Sequence, residues 1–312
     1  MKLAFLYAGQ GTQHAGMGRD LYEAYPAFRK ILDSAPVDFD LKTLCFEGPE
    51  ETLSDTRYTQ PAMVAFAAGV TALLYEAGIR PQAAAGLSLG EYSALHAAGV
   101  FTAPQAIALA AFRGAAMADA VQGRPCGMAA VLGMDRETLA ACCRSVADLG
   151  VCEIANYNCP GQIVIAGDGG AVEAACAIAA EQGARRCVPL KVSGPFHTSL
   201  MKSAGDALRA RFTQEAFGEM AFPVVFNCLG RAKTDEETIP ALLERQVRSS
   251  VYFEDSIRWL EAQGFDTVIE IGPGKALSAF VRKTAKGIRV LPVEDAATLA
   301  AAIQALKGEH HA

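Results

Sequence analysis

The sequence predicts an α/β protein: a parallel sheet covered by helices on both faces, with a second, smaller unit inserted into it. Three observations carry this prediction. Short apolar runs ending in glycine alternate with long helix-like stretches. Several of those helices are apolar nearly all round, so they must be buried on most sides. From 125 to 193 the order of runs changes to β-α-β-β-α-β, the ferredoxin-like arrangement.

The elements follow in chain order. "KLAFLYA" reads as a first buried strand stopped by "GQG", and a helix is expected from Met17 to Leu32. "QPAMVAFAAGVTALLYEAG" is a buried helix closed by Gly78 and Pro81. "AAAGLS" is a strand with little side-chain bulk, "LGEYSALHAAG" the helix after it, and "APQAIALAAFRGAAMADAV" another buried helix. Strands alternating with helices in this way imply a parallel sheet. In the middle segment "MAAVLGM", "VCEIANYN", "QIVIAGD" and "ARRCVPLKV" read as strands, with "CPG" at 159–161 as a hairpin turn. The larger pattern then resumes with a helix from about Ser199, the strand "FPVVFN" and two helices around 237–263. "TVIEIGPG", a helix, "RVLPVE" and an alanine-rich helix complete it. The expected domains are therefore 1–124 with 194–312, and 125–193.

The bulk properties narrow the function. A chain of 312 residues is long enough for one large core and one small one. Its net charge of −6 argues against a nucleic-acid binder, which would show a basic stripe. The opening "MKLAFLYAGQG" is too short for a signal-peptide core, and the apolar run 61–75 too short for a bilayer span. Nine cysteines make an odd set with no CxxC pair, and seven of them lie between Cys126 and Cys187 among small apolar residues. They read as reduced core thiols of a cytoplasmic protein, neither disulfides nor zinc ligands.

The chemistry centres on Gly86-x-Ser88-x-Gly90. This is the spacing of a nucleophile elbow, in which a serine sits on a tight bend between strand and helix. A small-residue turn that happens to hold serine has the same spacing. A serine nucleophile needs a base, and five histidines are available. His310 and His311 sit in a polar tail, His14 in an unanchored loop, and His96 two helical turns along from Ser88. That leaves His197 in "VSGPFHTSLM", after a strand and before a helix, as a base or as a loop histidine capping that helix. Arg113 lies in an apolar helix with Leu109, Ala110, Ala116 and Met117 at the neighbouring helical positions. A buried guanidinium needs an anionic partner, either a ligand carboxylate or a distant acid such as Glu91. The cluster "FLYAGQGTQHAGMG" lacks the later glycine of a dinucleotide turn, having His14 there. A strand ending in Gly-Gln-Gly can instead present a backbone N–H to an oxyanion, beside the N–H that follows the serine.

The segments "GQGTQ…GMG", "TQPAM", "GLSLGEYSAL", "FRGAAM", "GPFHTSLM" and "IEIGPGKALSAFVRK" together resemble the malonyl-CoA:acyl-carrier-protein transacylase family, in family order from Leu3 to about Pro292. The resemblance implies an α/β-hydrolase-like core with an inserted ferredoxin-like subdomain. It implies Ser88 as nucleophile and His197 as base, with Gln10 and Leu89 supplying the oxyanion N–H groups. Arg113 would clamp the malonyl carboxylate and Met117 would line the pocket. The backbone carbonyl of Gln246 would orient the histidine, and Phe196 would go with malonyl over branched acyl groups. The implied reaction is ping-pong transfer from malonyl-CoA to an acyl-carrier protein, with no metal or redox cofactor. Two positions depart from expectation, Leu87 where histidine is frequent and Lys191 where less charge is expected. A polyketide-loading acyltransferase, a serine esterase and a non-catalytic carrier-binding module are the alternatives. For an acidic carrier, the sequence offers Arg185, Arg186, Lys191 and Lys202 as the basic contacts.

Overall fold

Eleven strands are described: β1 (Leu3–Tyr7), β2 (Ala83–Gly86), β3 (Cys126–Leu132), β4 (Cys152–Cys159), β5 (Gln162–Asp168), β6 (Arg186–Pro189), β7 (Val224–Phe226), β8 (Arg231–Ala232), β9 (Val251–Tyr252), β10 (Thr267–Ile271) and β11 (Arg289–Val293). They come from a computed structural model that describes residues 1–121, 123–190 and 194–308. Lys191, His310 and His311 lie outside the described residues. The chain divides into two compact units, one of residues 1–114, 217–226 and 258–312, the other of 115–216 and 227–257.

The first unit is built on parallel strands in the order β11-β10-β1-β2-β7. Every residue of β1, β2, β7 and β10 is buried. A parallel sheet needs this, because crossover helices cover both of its faces. The helix Thr56–Glu76 buries sixteen of its 21 residues, as its all-round apolar sequence requires. Register matters for function. Tyr7 lies opposite both Gly86 and Ile271, so β1, β2 and β10 end level with one another. The loops that leave them share the carboxyl edge of the sheet, where open α/β sheets carry their sites.

The second unit has the sheet order β6-β3-β5-β4-β9. β3 runs antiparallel to β5 and β6, and β4 antiparallel to β5. Helices Arg136–Arg144 and Gly169–Glu181 cover one face, burying Leu139, Cys143, Val172 and Ala175 against Val131, Ile163 and Ile165. The hairpin at Pro160–Gly161 is tight, and Gly161 takes it through a φ of 71°.

Three details differ from the sequence expectation. The helix expected over Met17–Leu32 is two helices, Arg19–Ala24 and Pro26–Asp33, since Pro26 cannot continue the first and opens the second. β9 adds a fifth strand parallel to β4, so the second sheet draws on residues beyond 125–193. The expected strand 184–192 is described only over Arg186–Pro189.

Candidate active site

In the first unit, the chain turns from β2 into the helix Gly90–Ala97 within three residues. Both glycines of the motif are dictated by space. A Cβ on Gly86 would stand 2.0 Å from the Gly90 carbonyl carbon, and one on Gly90 would stand 2.2 Å from the Tyr7 oxygen. Ser88, on the bend, has a φ of 53°. Left-handed backbone is uncommon for a side chain other than glycine, and it throws the hydroxyl outward from the turn. Leu87 is tied by its N–H to the Tyr7 carbonyl at 3.0 Å, and its own carbonyl receives the Gly90 N–H. The Leu87 backbone is thus held on both sides of the turn.

The loop after β1 lies against this elbow, since a Cβ on Gly9 would meet the Leu87 oxygen at 2.5 Å. The Gln10 side chain is pinned to the Thr56 hydroxyl, with Nε2 donating at 2.7 Å. Among the described residues the backbone N–H groups of Gln10 and Leu89 donate no intramolecular hydrogen bond. Leu89 stands just before the first helical residue, where N–H groups have no partner within the helix.

Arg113 is 1 % exposed. Its Nη1 donates to Gln60 Oε1 at 2.8 Å and its Nη2 to Ser88 Oγ at 3.2 Å. The guanidinium carbon stands 5.6 Å from the centre of the Tyr92 ring. Burial pushes the guanidinium below its ordinary value, while Tyr92 and the buried Glu91 pull it back up. A delocalised guanidinium stays charged under such burial. Gln60 was not singled out from the sequence. Its signal is an amide 1 % exposed inside an apolar helix, because a buried polar side chain needs a buried partner.

In the second unit, His197 has a φ of 63°. With Ser88, it is one of two non-glycine residues at positive φ among the described residues. Its Nδ1 lies 2.9 Å from the Gln246 carbonyl oxygen. A carbonyl only accepts, so Nδ1 carries a proton, and in the neutral ring Nε2 is then the acceptor. The loop is held on both sides of the ring. Thr198 Oγ1 donates to the Pro195 carbonyl at 2.6 Å, and Glu153 on β4 accepts from the Ser199 N–H at 2.8 Å and its hydroxyl at 2.6 Å. Gln246 and Met117 are buried. Phe196 is buried too, its ring against Gly194, where a Cβ would come within 2.9 Å of it.

The remaining described histidines have local roles. Burial lowers His96 below its ordinary value, and its Nδ1 sits 2.9 Å from the Phe101 carbonyl oxygen. His14 lies on the surface near its neighbour's carbonyl. Among the described residues no cluster of three or more His, Cys, Asp or Glu side chains could hold a metal ion. No described helix is long and apolar enough to cross a membrane.

A parallel α/β sheet with a serine raised on a strand–turn–helix elbow defines a class of enzymes that move acyl groups through a serine ester. The acyl transferase domain family matches residues 4–311, and the chain belongs to that family. It is 43% identical to a malonyl CoA-acyl carrier protein transacylase of Bacillus subtilis, over 99% of this chain and 98% of that one. A malonyl CoA-acyl carrier protein transacylase structure from Clostridium perfringens superposes with a TM-score of 0.95 at 36% identity, covering 99% of this chain and 98% of that chain. A malonyl-transacylase in complex with its type II polyketide-synthase acyl-carrier protein superposes with a TM-score of 0.94, also at 36% identity, over 98% of this chain and all of that one.

Proposed function

We propose that this protein transfers a malonyl group from malonyl-CoA to the phosphopantetheine thiol of an acyl-carrier protein, through a malonyl ester on Ser88, and so supplies fatty-acid synthesis in the cytoplasm. The fold is read as an α/β-hydrolase-like core with residues 125–193 as a ferredoxin-like subdomain inserted into it. One observation carries the assignment of roles: Ser88 and His197 hold the strained backbone geometry that functional sites keep and ordinary loops relax.

Ser88 Oγ attacks the thioester carbonyl while Nε2 of His197 takes its proton. The negative oxygen that develops is received by the N–H groups of Gln10 and Leu89, which have no intramolecular partners among the described residues. The C–S bond then breaks, and coenzyme A leaves as a thiol with the proton from His197. The second half-reaction runs in reverse: His197 takes the proton of the carrier thiol, whose sulfur displaces Ser88. The Gln246 carbonyl keeps the ring in the tautomer that both halves need. Arg113, within hydrogen-bond reach of Ser88 Oγ, receives the free carboxylate of the malonyl group; Met117 and Phe196 line the pocket. Every bond made and broken is accounted for by these side chains and the two thioesters, so the scheme requires no cofactor.

The test is intact mass spectrometry after mixing with malonyl-CoA. The expected result is one malonyl adduct on the wild type and none on Ser88→Ala, with His197→Ala acylating several orders of magnitude more slowly. An adduct that persists in Ser88→Ala would overturn the assignment. The polyketide-carrier complex of a relative favours a second carrier as an alternative partner. Transfer rates to fatty-acid and polyketide carriers, measured side by side, decide between them. Hydrolysis of simple esters faster than thioester exchange would mark an esterase instead.

A further inference from the structure

Inside the second unit, two tethers run from neighbouring residues of β4 to the two chain segments that meet at His197. The first is Glu153. One of its carboxylate oxygens accepts from the Ser199 N–H at 2.8 Å, and the other from the Ser199 hydroxyl at 2.6 Å. The second is Ile154, whose carbonyl accepts from the Ser250 hydroxyl at 2.5 Å. Ser199 lies two residues beyond His197, and Ser250 four residues beyond Gln246, whose carbonyl faces the His197 ring. Glu153, Ile154, Ser250 and His197 line one cavity of about 410 Å³. We propose that Glu153 is a positioning residue for the base: by holding Ser199 it fixes the His197 ring against the Gln246 carbonyl, and so sets the rate of proton transfer in both half-reactions.

What Ser199 offers explains why a carboxylate stands at position 153. Its N–H begins the turn Ser199–Met201, which leads into the helix Lys202–Phe212. N–H groups at such a start have no carbonyl partner within the helix. The hydroxyl is a second donor beside it. A carboxylate accepts with both oxygens, an amide with only one, and charged acceptors make the stronger bonds.

His197 needs this hold because of its own backbone. A residue with a side chain stays at a φ of 63° only where its surroundings over-determine it. The bond from the Thr198 hydroxyl to the Pro195 carbonyl lies within the loop and moves with it. Glu153 differs, because it stands on a strand paired with β5 on one side and β9 on the other. β9 begins one residue after Ser250, so the strand that carries Glu153 also anchors the chain leaving Gln246. The base and the carbonyl that orients it are thus referred to one sheet. Misplacement of a catalytic group by about 1 Å costs on the order of a hundredfold in rate.

This inference rests on the transferase reading for its effect on rate, but not for the placement of the ring. Acylation by malonyl-CoA is timed by quenched intact mass spectrometry for the wild type, Glu153→Ala, Glu153→Gln and Glu153→Asp. Glu153→Ala should lower the rate at saturation roughly ten- to hundredfold, with the KM and the fraction of protein acylated nearly unchanged. A loss of folding alone would instead lower the acylated fraction and spare the rate of the rest. Glu153→Gln keeps one acceptor oxygen and should lie between Glu153→Ala and the wild type. Glu153→Asp keeps the charge but shortens the reach, and should be slower than Glu153→Gln. The His197 Nδ1 proton is read by isotope-edited NMR of histidine-labelled protein, its resonance assigned by its loss in His197→Gln. In Glu153→Ala it should shift and exchange faster with water. The His96 Nδ1 proton, facing the Phe101 carbonyl in the first unit, should not change. Three results would each overturn the inference: a full rate in Glu153→Ala, an unmoved His197 resonance, or a fast Glu153→Asp beside a Glu153→Gln as slow as Glu153→Ala. The last would mean that the carboxylate acts through its charge alone. If the wild type never accepts malonyl, the transferase reading fails, and the His197 resonance still decides whether Glu153 holds the ring.

Discussion

Ser88 and Arg113 were legible in the sequence for different reasons. The serine is marked by its two glycines, whose Cβ positions are already occupied by backbone. The arginine is marked by a helix with no acid within a turn of it. The hydrogen bond from Arg113 to Gln60 was not legible, because it joins residues 53 positions apart and no local pattern records that distance. It leads to a prediction. Arg113→Ala should lower malonyl transfer sharply and leave acetyl transfer unchanged or improved, since only malonyl offers a carboxylate. Gln60→Leu should do the same more weakly, by removing an acceptor that aims the guanidinium, worth roughly 1.5–3 kcal/mol for a charged donor. Rates with both thioesters test this, and equal losses for both acyl groups would make Arg113 a structural residue. Phe196 gives a second prediction at this scale. If its buried ring lines the acyl pocket as proposed, a branched acyl group lacks room beside it, and a poorly placed methyl costs roughly 1–3 kcal/mol. Phe196→Ser should narrow the preference for malonyl over methylmalonyl, and an unchanged ratio would remove Phe196 from the pocket.

At the scale of elements, periodicity and punctuation located β1, β2, β10 and the long buried helix, because each is apolar on every side and ends in glycine. The two-residue strands β8 and β9 carry no such pattern, and β9 exists only through its pairing with β4. Glu270 shows what periodicity hides. It sits in an all-buried strand and reads as an error of polarity, yet it accepts the N–H groups of Leu277 at 2.8 Å and Ser278 at 2.7 Å, and the Ser278 hydroxyl. These are the orphan donors at the start of the helix Ala276–Thr284. Glu270→Ala should therefore destabilise the protein by roughly 1–3 kcal/mol in urea unfolding. Burial raises this carboxyl above its ordinary value. A group raised in the folded state binds more protons folded than unfolded, so its contribution weakens as pH rises from the ordinary value through the raised one. Glu270→Gln does not titrate, and its deficit against wild type should be larger in mildly acidic buffer than at neutral pH. A deficit independent of pH would mean that the carboxyl titrates alike in both states.

The whole molecule carries a net charge of −6, so an acidic carrier is not drawn to it by overall charge and must meet a local basic surface. The sequence suggests Arg185 and Arg186 by their nearness to the histidine loop along the chain. In the fold Arg186 is on β6, at the far edge of its sheet from β9, and roughly 14 Å of sheet separates β6 from β4. Lys202 is already paired with Asp206 at 2.6 Å. The arginines that share the cavity of His197 are Arg144, Arg245 and Arg248. Arg248 is drawn to Glu244 at 3.0 Å, whereas Arg144 and Arg245 are exposed. The basic surface beside the proposed base is thus set by residues that the sequence keeps about a hundred positions apart, and only the fold assembles it. Arg245→Glu should raise the KM for the carrier several-fold and flatten its dependence on salt, because the lost attraction is the part that ions screen. Acylation by malonyl-CoA should continue near its original rate. The two half-reactions measured separately over a salt series provide the test. Equal damage to both would show Arg245 holding the His197 wall in place, and damage to neither would send the carrier to another face of the protein.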